Sequence, residues 1–192
     1  MPTDFEVDAA QLILTSRWAA IATVKGGAPL ASMVAYAPEP SLQGVLLFLS
    51  ELSQHTQNLL DDPLVSLVVS APDTGRDDPQ LLPRATLTGE ARPLTDDGEA
   101  FREAQALYLS RFPDAEMRFG LADFHLFRLI PAEIRYVGGF ARAFSMTPAE
   151  LAEAAVSQER PTLGSRQSGM IRLPSPASLW LEPVPLPSTV RQ

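Results

Sequence analysis

Cysteine is absent from the 192-residue chain, which excludes disulfides, thiolate metal sites and a cysteine nucleophile. Lysine occurs once, as Lys25 in a Lys-Gly-Gly stretch that reads as a turn, so Schiff-base chemistry has no suitable residue. Histidine occurs twice, as His55 and His125, too few for a multi-histidine metal site. No apolar run approaches the roughly 20 residues that a spanning helix needs. The opening Met1-Pro-Thr-Asp-Phe-Glu lacks the basic-then-apolar pattern of a secretory signal, and a cytoplasmic location with no membrane partner is expected. Positive charge is scarce as well. The net charge of −8 argues against a nucleic-acid surface, though it leaves room for one local basic pocket.

What is present is a soluble composition, 45% hydrophobic, long enough for one ordinary domain plus a tail. Thr3-x-x-Glu6 is a capping box, and Val7, Ala10, Leu14 and Trp18 follow at helical spacing, which predicts a helix over Asp4–Ser16. Trp18–Val24 and Leu30–Tyr36 read as a hairpin about Gly26-Gly27. Gly44–Ser50 (GVLLFLS) reads as a buried strand, and Ser53 as the cap of a short helix, Gln54–Leu60. Leu64–Ser70 and Arg84–Arg92 are strands separated by a solvated loop, Ala71–Pro83. Glu99–Arg111 is a helix stopped by Phe112-Pro113. Phe124–Ile130 and Glu133–Phe140 read as two strands divided by Pro131, and Thr147-Pro148-x-Glu150 starts a last helix. Six or seven short strands with few helices predict a mainly β, α+β architecture: a small barrel rather than a doubly wound sheet. The expected organisation is a barrel domain over 1–156 and a Pro/Ser-rich extended tail over 157–192, which carries six prolines.

Three stretches then carry a family likeness. They are the hairpin Trp18–Tyr36, the segment Leu47–Pro63 with Leu52-Ser-Gln-His55-Thr56-Gln-Asn58-Leu inside it, and Ile134–Ala143 with Gly138-Gly139-Phe140-Ala-Arg142-Ala143. In this order they resemble the pyridoxamine 5′-phosphate oxidase-like FMN-binding split β-barrel superfamily, and the last two resemble its heme-utilisation branch. The resemblance implies a homodimer with FMN between subunits, and heme as the alternative cofactor. By position, Ser32, Met33 and Val34 would face the flavin edge, and Ser50, Ser53, His55 and Thr56 would lie near its phosphate. Phe140 and Arg142 of the other subunit would cover the ring.

The residues themselves fit such roles. A strand-to-helix junction rich in hydroxyls, with free backbone N–H groups, suits an anion; it equally suits a plain helix cap. Leu30–Tyr36 holds no basic residue, so Arg84 on a neighbouring strand is the candidate to supply charge. Gly138-Gly139 predicts a bulge or close approach, and Phe140 and Arg142, two apart, would share one face of a strand. Arg142 would suit a heme propionate or a dimer-interface carboxylate. His125, mid-strand, reads as a structural residue, and no histidine follows it to act as the C-terminal heme ligand of the heme-utilisation branch. The favoured reading is a flavin-dependent oxidoreductase with no identified catalytic residue and an unknown small-molecule substrate. A heme-binding or heme-utilisation protein, and a non-enzymatic split-barrel binding module, stand beside it.

Overall fold

The computed structural model describes residues 1–76, 78–94, 98–139 and 142–159. Among them, seven antiparallel strands form one sheet in the order β3-β2-β1-β4-β5-β6-β7, and a further β3–β6 pairing closes the first six into a barrel. The strands are β1 (Trp18–Lys25), β2 (Ala28–Pro38), β3 (Val45–Ser50), β4 (Leu64–Ser70), β5 (Arg84–Pro93), β6 (Phe124–Val137) and β7 (Ala143–Met146). Helices α1 (Asp4–Thr15), α2 (Gln54–Asp61), α3 (Glu99–Arg111) and α4 (Pro148–Glu159) flank them. Closure removes the free edges that an open antiparallel sheet would expose.

The β1–β2 hairpin turns on Gly26 and Gly27, both at positive φ (56° and 83°), as a two-residue turn of matching twist requires. β2 pairs with β1 over Ala28–Ala35, but with β3 only over Tyr36–Pro38. The barrel is therefore split between the first part of β2 and the end of β3.

The core has two parts. Inside the barrel, Ile21, Leu47, Leu67, Leu87, Leu129 and Ile134 pack together, capped by Ile13 of α1 and Leu151 of α4. Outside it, α3 and a 3₁₀ segment (Pro113–Gly120) lay Tyr108, Phe112 and Phe119 over Leu46, Phe48 and Leu126. β3 thus buries both faces, which explains its unbroken apolar run.

Three features of the strands and loops differ from the sequence-based expectation. β6 runs unbroken through Pro131, because the β5–β6 ladder shifts register between Thr88 and Gly89, opposite the proline; a residue lacking N–H is accommodated at such an irregularity. The strand expected over Glu133–Phe140 ends at Val137. Gly138 and Gly139 form the turn into β7 instead, with Gly139 at φ 131° and Gly138 N donating to Arg142 O at 2.9 Å. A one-turn 3₁₀ helix, Pro79–Leu81, stands within the expected loop. The boundary expected at 156 falls inside α4; the rest of the 157–192 tail, beyond Glu159, lies outside the described residues.

Candidate functional site

The split in the barrel opens a trough of about 270 Å³. One wall is β2, with Met33, Val34 and Ala35, beside Trp18 of β1; the facing wall is Phe48, Leu49 and Ser50 of β3. Ser53 and His55 close one end, and Tyr108, Phe112, Arg118 and Phe124 add an aromatic side with one cation. The junction Ser50–His55 lies here because β3 ends at Ser50 and Ser53 caps α2, its carbonyl accepting from Thr56 N at 3.0 Å.

Within the trough the polar groups are specific. His55 Nδ1 lies 3.0 Å from Ser32 Oγ, and among the described residues Nε2 has no hydrogen-bond partner. Burial pushes the His55 imidazole below its ordinary pKa, favouring the neutral ring. Ser50 Oγ donates to Asp123 Oδ2 at 2.8 Å, and His125 Nε2 lies 2.5 Å from Glu51 Oε1. The Ser53 hydroxyl makes no capping bond. Thr56 is fully buried, and its Oγ1 has no partner among the described residues; it does not line the trough. Burial also raises the Tyr108 phenol pKa.

A second trough, about 710 Å³, lies where β5, β6 and β7 meet. Arg84, Arg135 and Arg142 line it with Thr86 and Gly139. Arg84 Nη1 donates to the carbonyls of Gln80 and Leu82 at 3.0 and 3.2 Å, and the Arg142 guanidinium sits 4.6 Å from the Phe5 ring centroid.

The structure therefore gathers Met33, Val34, Ser50, Ser53 and His55 into one trough, with Ser32 behind His55. It places Arg84 and Arg142 in the other, so within one protomer Arg84 lines a different trough from His55. Phe140 lies outside the described residues. Sequence reasoning missed Trp18, Phe48, Tyr108, Phe112, Arg118 and Phe124 as trough residues. The signal available was the density of aromatics between Phe101 and Phe124, which a helical-face reading absorbed into the core.

No helix among the described residues is long and apolar enough to cross a membrane. Known proteins with the same pattern bear on the fold and the branch. The chain is 34% identical over 119 residues to the chloroplastic non-canonical heme oxygenase HOZ of Arabidopsis thaliana, covering 62% of this chain and 34% of that protein. It is 31% identical over 126 residues to heme oxygenase HutZ of Vibrio cholerae, covering 62% of this chain and 69% of HutZ. It thus spans about a third of the plant relative's length. A heme binding protein from Mycobacterium smegmatis superposes with a TM-score of 0.70 at 28% identity, over 80% of this chain and 61% of that one. A structure from Listeria innocua, provisionally assigned as a pyridoxamine 5′-phosphate oxidase, superposes at 0.53 with 14% identity, over 70% of this chain and 98% of that one. At that identity the likeness is one of fold: the pyridoxamine 5′-phosphate oxidase-like split barrel. The CREG β-barrel family model matches residues 4–151, and the chain belongs to that family, on the heme-utilisation side of these split barrels.

Proposed function

We propose that this chain is a heme-binding protein of the heme-utilisation type, acting as a homodimer. The observation that carries the proposal is the make-up of the split-barrel trough. Trp18, Met33, Phe48, Phe112 and Phe124 offer apolar and aromatic surface to a flat ring, with a single arginine, Arg118, at the side. A porphyrin needs that combination: apolar contact for its faces, cations for its propionates. The phosphate cradle expected on sequence is less well served. Ser50 is tied to the Asp123 carboxylate and Glu51 stands beside it, so a phosphate dianion would meet negative charge. The heme-related relatives support the same reading. Bound heme would supply a redox-active iron. The aromatic walls would hold the ring and exclude water, and Arg118 would take a carboxylate.

A second subunit is part of the proposal. A volume of about 270 Å³ falls below the roughly 300–1,000 Å³ of ligand sites, and Trp18 and Met33 at its rim are 56% and 45% exposed. A partner protomer would cover these side chains and bring the arginines of its second trough, Arg84, Arg135 and Arg142, toward an anionic ligand.

FMN is the second reading. The stretch of β2 over Ala28–Ala35 pairs on one side only, so backbone donors and acceptors line the split where a flavin's polar edge could bond. The test is the visible spectrum of purified protein, alone, with FMN, and with ferric heme. A shifted, saturable Soret band that travels with a dimer through gel filtration is the expected result. Flavin bands retained instead, with no Soret shift, would overturn the heme proposal in favour of FMN.

A further inference from the structure

We propose that His55 is the iron ligand of this chain, presented through Nε2 and held in orientation by Ser32. The inference rests on the heme reading and adds the ligating atom to it.

Composition narrows the choice. Thiolate is excluded by the absence of cysteine, and imidazole ligation can come only from His55 or His125, described and undescribed residues together. The single lysine, Lys25, does not line the trough and pairs with Asp61 at 3.6 Å. His125 is committed elsewhere: its Nε2 lies 2.5 Å from Glu51 Oε1. The three tyrosines are 0%, 2% and 3% exposed, and burial raises all three phenols, so a phenolate ligand is disfavoured. Tyr36 further donates to Ile13 O at 2.7 Å. Among the methionines, Met33 shares the trough with His55, but a thioether is the softer donor and suits a weak axial position rather than the principal one.

Geometry then favours His55 on its own terms. A ligating imidazole ordinarily has its other ring nitrogen tied to a neighbour, which sets the tautomer and the ring plane. Here Nδ1 is the tied atom, 3.0 Å from Ser32 Oγ, and Nε2 is the one without a partner among the described residues. Both partners stand on regular structure: Ser32 in the β1–β2 ladder opposite Ile21, His55 in the first turn of α2. The imidazole lines the same trough as Trp18, Met33 and Phe48, the surface that would take the ring.

The experiment compares wild type, His55→Ala, His55→Gln, His125→Ala and Ser32→Ala, each loaded with ferric heme. Electron paramagnetic resonance and the iron–histidine stretch of the reduced form are the readouts. Wild type and His125→Ala should give a histidine-ligated signature. His55→Ala and His55→Gln should lose it, and added imidazole should restore it in the alanine variant. Ser32→Ala should keep the stretch but shift its frequency, with heme bound about 10- to 100-fold more weakly. Circular dichroism reports whether each variant folds, and the glutamine variant keeps the test open if alanine does not. A wild-type signature persisting in a folded His55 variant would overturn the assignment while leaving heme binding intact. Absence of any Soret shift in wild type would overturn the heme reading itself, and the ligand with it.

Discussion

Glu39 holds Arg128 with both carboxylate oxygens, Oε1 2.6 Å from Nε and Oε2 2.7 Å from Nη2. The hydrogen bonds to Glu39 raise the Arg128 pKa further. Gly44 lies against the pair: a Cβ there would stand 2.8 Å from both Arg128 Nε and Glu39 Oε2. The fork joins the loop after β2 to β6 on the outside of the barrel. The arginine is 39% exposed and the glutamate 18%, so the pair is worth less than a dry one. Glu39→Ala should cost about 1–2 kcal/mol, the scale of a charge-assisted bond partly screened by solvent. Urea unfolding of the single and double variants would measure it; a coupling near zero would show that the pair contributes geometry without stability.

The irregularity opposite Pro131 makes Gly89 a second sensitive position. A Cβ on Gly89 would overlap the Ile130 carbonyl oxygen and lie 2.9 Å from Pro131 Cα. Those are backbone atoms of a paired strand and cannot swing aside. Gly89→Ala should destabilise by about 1–3 kcal/mol through overpacking. Gly120→Ala is the matched control, because a Cβ there meets nothing within 4 Å. A thermal scan of both variants decides: equal melting temperatures would mean that the β5–β6 ladder relaxes around the added methyl.

How far the sequence carried depended on whether a feature was local. α3 was legible to the residue, Glu99–Arg111, because apolar spacing and the Phe112-Pro113 stop are local signals. The Gly26-Gly27 hairpin and the buried β3 were legible for the same reason. Pro131 misled because proline is read as a break. In the ladder β6 carries one extra residue, Ala132, beside the proline, and pairing with Thr88 and Gly89 of β5, far away in sequence, lets the strand continue. Gly138-Gly139 was read as a bulge or close approach within a strand although it makes a turn; a glycine pair carries either meaning until the partner strand is known. For the site, Ser50, Ser53 and His55 could be placed together because they share one junction. Their environment could not: Asp123 reaches Ser50 from the turn just before β6, and Arg118 arrives from the 3₁₀ segment after α3.

Arg118 yields a prediction that separates ring from rim. Its guanidinium stands 5.9 Å from the Phe124 ring centroid and lines the trough, with no ion pair among the described residues. If it takes a propionate, Arg118→Ala should weaken heme binding about tenfold, equivalent to ~1.4 kcal/mol. The same variant should barely alter binding of a porphyrin whose propionates are esterified. Quenching of Trp18, at the rim of the same trough, provides a convenient titration signal, read against a Trp18→Phe control for the second tryptophan, Trp180. Equal losses for the free acid and the ester would assign Arg118 to packing against Phe124.

The start of α4 supplies a dependence on pH whose sign can be worked out. Glu150 Oε2 accepts from Thr147 N at 2.7 Å and from Thr147 Oγ1 at 2.8 Å, while Glu150 N donates back to Thr147 Oγ1 at 3.3 Å. The backbone bond from Thr147 is the chief cause that holds the Glu150 carboxyl below its ordinary value of 4.5, with the hydroxyl next. A carboxyl whose folded pKa is depressed binds fewer protons in the native chain than in the unfolded one, so stability rises with pH between the two values. The contribution is therefore fully present above about pH 4.5 and is lost as the pH falls through the folded value. α4 is docked on the barrel core through Leu151, Ala154 and Ala155, so loosening its first turn should register in global unfolding. Glu150→Ala should lower the melting temperature near neutral pH, and the gap from wild type should close in acid. A gap that stays constant with pH would mean that ionisation of Glu150, and with it the two bonds to Thr147, adds nothing to stability.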